Sequence, residues 1–178
     1  MALYLVNLDE RTRQLMLAEV EYDVERDQLH ISPYLSGQGQ RDYPNLLRQA
    51  IEQGDEETLA ESLRRRRRIA RTAHRRQPAG GYTIVTIPTN AAEMIADSEF
   101  NRYYIRALCR RAIEDGIDAL IVYRAKPVSD PRPQSEALIE ETIDPAALLE
   151  DLRTHPGDEI PQMGVPGGPN SGITVRLP

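Results

Sequence analysis

The sequence predicts a mixed fold, α/β or α+β, with a central strand–helix–strand unit over residues 82–124 and a helical N-terminal half. Three observations carry this. YTIVTI at 82–87 and DALIVYR at 118–124 are rich in β-branched residues and read as strands. Between them Ile105, Leu108, Cys109, Ala112 and Ile113 recur at i, i+3, i+4, i+7 and i+8, one face of a helix. Ahead of them, segments opened by Asp9, Asp42 and Asp55 carry apolar residues at the same period.

Taken in order, ALYLVN at 2–7 reads as a short buried strand, and Asp9 caps a helix bearing Met16, Leu17, Val20 and Val24. Residues 28–35 alternate weakly, and SGQGQ at 36–40 reads as a turn or flexible loop. Asp42 is expected to cap a helix over 43–53 that Gly54 ends, and Asp55 to open another carrying Leu59 and Leu63. PAGG at 78–81 marks a hinge or turn. Asn90 and Glu93 form a capping-box-like start to the central helix, Asp97-Ser98 is a point where it could divide, and Gly116 is its stop. A strand–helix–strand run of this length suggests a βαβ crossover, with an antiparallel α+β arrangement left open. Asp144-Pro145 opens a short helix through Arg153. The expected organisation is one domain over 1–154 and a Pro/Gly-rich tail over 155–178 that ends in an edge strand, ITVRL.

At 178 residues the chain is long enough to bury about two-thirds of its unfolded surface. Its one cysteine excludes an internal disulfide and a C-x-x-C pair, and its N-terminus lacks a basic, apolar leader. A cytoplasmic setting, or assembly within a virion, is therefore expected, with no membrane partner. With no tryptophan and one phenylalanine, the core must rest on Leu, Ile, Val and Ala, with eight tyrosines at its wetter edges.

Charge is segregated. The net charge is −6, yet residues 64–76 hold eight arginines and no acid, which leaves −14 on the rest of the chain. Arg64, Arg65, Arg66, Arg67, Arg68, Arg71, Arg75 and Arg76 are thus candidates for phosphate of a nucleic acid. The other reading is a solvated helix end whose arginines meet carboxylates of this chain or a partner. A second candidate anion site combines Arg102, Arg106 and Arg110, spaced every four residues on one helix face, with Arg124, Lys126 and Arg132 near a strand end. For the first three, a helix face neutralised by Glu99 and neighbouring carboxylates is the plainer alternative.

Catalytic signatures are missing. The histidines at 30, 74 and 155 have no metal-ligand spacing, and there is no Walker, dinucleotide-binding or nucleophile-elbow motif. No cofactor, catalytic residue or metal ligand is assigned, and Cys109 fits a core thiol.

SEFNRYYIRALCRRAIEDG, with VYRAK, PRPQSE and GPNSGITVRLP downstream, resembles an uncharacterised protein type associated with bacterial mobile elements and phages. The resemblance runs the length of the chain and implies context without an activity. The function expected is that of a non-enzymatic structural or protein-interaction component of a phage-like particle or mobile element, working as a homo-oligomer or within a protein assembly. The alternative is a nucleic-acid-binding protein that uses the basic segment, and a third reading is an enzyme acting on an anionic ligand near Arg124, Lys126 and Arg132.

Overall fold

The computed structural model describes residues 2–76, 80–157, 160–167 and 171–178. Helices α1 (Glu10–Glu25), α3 (Glu56–Arg64) and α6 (Pro145–Thr154) begin where their caps lie in the sequence. Asp9 Oδ1 accepts from Thr12 N–H at 2.9 Å, Asp55 Oδ1 from Thr58 N–H at 2.8 Å and Asp144 Oδ1 from Ala147 N–H at 2.6 Å. Each carboxylate fills one of the donors that a first helical turn leaves unpaired.

Helix α2 departs from expectation. It runs over Gly37–Gln53, so SGQGQ supplies its cap and first turn, with Ser36 Oγ accepting from Gly39 N–H at 3.1 Å. Asp42 lies inside the helix and is used elsewhere, while Gly54 does end it. Helix α4 runs unbroken over Ala91–Asp115, through Asp97-Ser98, and stops at Gly116 in the left-handed conformation (φ 66°). Asn90 occupies its N-cap position without a side-chain cap bond.

The βαβ crossover does not form, and the architecture is α+β. Strand β1 (Thr72–Arg76), inside the arginine-rich segment, pairs antiparallel with β2 (Tyr82–Thr86) in a two-stranded ribbon. Strand β3 (Leu120–Arg124) belongs to a different, antiparallel sheet, between β4 (Thr142–Ile143) and β5 (Ile173–Arg176). Of the expected PAGG turn, Pro78 and Ala79 lie outside the described residues, and Gly80 and Gly81 have φ of 90° and 85°. The ITVRL edge strand is present, with Val122 opposite Val175. A short helix α5 (Pro133–Ala137) lies between β3 and β4.

Residues 2–7 form no strand. Their half-buried alternation persists, but Tyr4 N–H donates to Ala125 O at 2.9 Å, and the next two contacts go to tyrosine hydroxyls. Val6 N–H reaches Tyr123 Oη at 3.2 Å and Asn7 N–H reaches Tyr104 Oη at 3.1 Å, so side chains take the place of a ladder.

Helix α4 is the axis of the core, packed by α1, α3, α6 and β5. Phe100, Tyr104, Ile105, Leu108, Cys109 and Ala112 are all buried there, and burial pushes the Cys109 thiol well up. Because neighbours surround it, α4 has little outer face: Arg102 and Arg106 are buried too, while Ile113, read as core, is 49% exposed. Among the described residues no helix is long and apolar enough to cross a membrane.

Candidate functional site: an arginine turn at the foot of a β-ribbon

The arginine run leaves the helix that leads into it. Helix α3 buries Leu59 and Leu63 and ends at Arg64, and residues 65–67 make a single 3-10 turn. Arg66 (φ 55°, ψ 29°) and Arg67 (φ 57°) both adopt the left-handed conformation. That region costs a non-glycine residue on the order of 1–3 kcal/mol and persists only where surroundings impose it.

Those surroundings are visible. Ser36 N–H donates to Arg68 O at 2.7 Å and Ser36 Oγ–H to Arg67 O at 2.8 Å, which ties the turn to the start of α2. A Cβ on Gly39 would stand 2.1 Å from Arg68 O, so only glycine permits this approach. The Arg68 guanidinium is drawn inward: Nε donates to Asp42 Oδ2 at 2.7 Å and Nη1 to Ser62 O at 2.8 Å. Gln38 and Arg68 together hold the Asp42 carboxyl below its ordinary value.

The remaining arginines whose side chains are described divide into two groups. Arg64 pairs with Glu93 at 3.2 Å and Arg65 with Glu61 one turn back. Arg66, Arg67 and Arg71 are exposed and form no ion pair among the described residues. The side chains of Arg75 and Arg76 lie outside the described residues, but the backbone places these arginines on β1 opposite Thr83 and Tyr82.

The ribbon rises from this foot. Ala73, Ile87 and Ala91 are buried in a small cluster with Ile69, Ala70, Val85 and Tyr34. Alternate positions of β2 point away: Tyr82 is 73% exposed and Ile84 67%. Among the described residues β1 and β2 pair only with each other, while the chain just before β1 bridges to the α2 entry at Leu35–Ile69.

The second set of predicted site residues is not gathered into one place. Arg102 donates to the carbonyls of His155 at 2.6 Å and Gly157 at 2.7 Å. Arg106 is committed to Glu19 and Asp23 of α1, and Arg110 stands 3.6 Å from both Glu19 and Glu114. Arg124 binds Ser171 O at 2.7 Å and pairs with Glu136; Lys126 pairs with Asp97; Arg132 donates to Gly167 O at 2.7 Å.

Two features escape a reading of the sequence. Arg153 joins the buried network by donating to Glu19 Oε1 at 2.6 Å. His30 Nδ1 lies 3.0 Å from Glu99 Oε1 beside a cavity of about 160 Å³ that also reaches Tyr34, Met94 and Ser98. No motif spans the 69 positions that separate Glu99 from His30.

No family model, curated protein or solved structure matches this chain.

Proposed function

We propose that this chain acts by binding, as a structural component that assembles with copies of itself through the ribbon of β1 and β2. One observation carries the reading: Tyr82 and Ile84 stand outward on a ribbon whose other face is packed and whose strands, among the described residues, pair only with each other. Tyrosine and arginine are enriched where proteins meet, and an open strand edge offers a row of backbone donors and acceptors to another chain. The resemblance to a protein type associated with bacterial mobile elements and phages supports a particle or mobile element as the setting.

Size exclusion with light scattering, at low and at high salt, tests it. The expected result is an oligomer that survives high salt, because an apolar and backbone-bonded contact is little screened, and that a Tyr82→Ser/Ile84→Asn variant loses. A monomer at every salt and protein concentration overturns the reading.

A further inference from the structure

We infer that the arginine turn is a second binding site, distinct from the outward face of the ribbon, and that it holds the phosphodiester backbone of a nucleic acid through Arg66, Arg67 and Arg71. It uses residues that the assembly contact does not, so either can fail alone.

The first support is local charge balance. Asp42, Glu61 and Glu93 are the carboxylates paired at this foot, and each already has an arginine: Arg68, Arg65 and Arg64 respectively. From Arg64 to Ala92 the chain contains no acidic residue. Arg66, Arg67 and Arg71 are reached by no ion pair among the described residues, on a protein whose net charge is −6. Evenly scattered solubilising charge would not separate in this way.

The second support is geometry. Here the helix stops, two arginines take the left-handed conformation, and Ser36 fixes the carbonyls of Arg67 and Arg68. Fixing the backbone lowers the entropy lost when flexible guanidinium groups engage a ligand. Guanidinium groups match phosphate oxygens two at a time, which makes arginine better suited than lysine to this partner.

Fluorescence anisotropy with a labelled mixed-sequence DNA duplex, titrated across salt concentrations, tests the inference in the full chain. Wild type is expected to bind with an affinity that falls linearly with salt on logarithmic axes. Arg66→Gln/Arg67→Gln/Arg71→Gln should lower that slope by about two to three, since each lost phosphate contact removes about 0.9. The Arg→Lys version at the same positions should keep most of it. Circular dichroism of the Gln variant, matching wild type, separates loss of contact from loss of fold. The Tyr82→Ser/Ile84→Asn variant should retain the dependence through the turn even where assembly is lost. An unchanged slope in the Gln variant, no binding by wild type at low salt, or binding of polyglutamate as tight as that of DNA overturns the inference; the last would assign the turn to an acidic protein.

Discussion

Arg106 on α4 holds Asp23 on α1 through two hydrogen bonds, Nη1 to Oδ2 at 2.6 Å and Nη2 to Oδ1 at 2.9 Å, with both side chains buried. Its Nε also donates to Glu19 Oε2 at 2.8 Å, and Tyr103 Oη–H donates to Asp23 Oδ2 at 2.8 Å. Removing one partner from such a set strands charge in the interior, at a cost of about 3–5 kcal/mol. Arg106→Met is therefore expected to lower the urea midpoint sharply, and Arg106→Lys to rescue little, because an ammonium cannot reproduce the planar fork. A loss under about 1 kcal/mol for Arg106→Met would show that α1 and α4 are held by apolar packing alone.

The same network predicts acid sensitivity. Burial pushes Glu19 up, but Arg153 and Arg106 outweigh it, so the carboxyl sits below its ordinary 4.5 when folded. A carboxyl depressed on folding stabilises above its unfolded value, and that contribution is lost as pH falls through the folded value. Thermal melts should thus be flat in this term at neutral pH and fall from about pH 4.5 downward. Glu19→Gln should start less stable and lose less on acidification.

Glu56 acts in the opposite sense. Burial raises its carboxyl above the ordinary 4.5, and Asp55 and Asp97 raise it further, although Leu3 N–H donates to it. Its charged form is disfavoured in the folded chain, so this residue costs stability as pH rises past 4.5. Glu56→Gln keeps an oxygen for Leu3 and should raise Tm at neutral pH while leaving it nearly unchanged in acid.

The contrast between these charges and the helix caps explains what the sequence could reveal. Asp9, Asp55, Gly54, Gly116 and Asp144 act within a few residues of themselves, so these helix ends were legible, whereas the start of α2 at Ser36 was not. Strand partners were not: Val122 meets Val175, and TAHRR becomes a strand only because Tyr82–Thr86 lies beside it. The four-residue spacing of Arg102, Arg106 and Arg110 correctly places them along one helix, but what they meet is set by residues far off in sequence. Glu19, 87 positions before Arg106, could not be read as its partner. At the candidate site the arginines themselves were legible; the division between those tied to Asp42, Glu61 and Glu93 and those left outward depends on the tertiary fold.

Gly39 offers a test of how that division is built. Its missing Cβ makes room for Arg68 O, a backbone atom that cannot swing aside. Gly39→Ala should cost about 1–3 kcal/mol as the turn and the first turn of α2 are pushed apart. It should also weaken salt-dependent DNA binding without removing any arginine. Full retention of both stability and binding would mean that the turn adapts and is not held in place by α2.

Arg66 separates stability from function most directly. At φ 55° its Cβ is strained, and a glycine there would adopt the conformation freely. Arg66→Gly should therefore relieve about 1 kcal/mol, against a smaller entropic cost in the unfolded chain, and hold or raise Tm by a few degrees. If the strain is maintained to display the guanidinium, the same variant should lower the salt slope of DNA binding by about one. A gain in Tm with an unchanged slope would leave the strain unexplained by binding, and a loss in Tm would show that the Arg66 side chain contributes to the folded state through contacts worth more than the strain it bears.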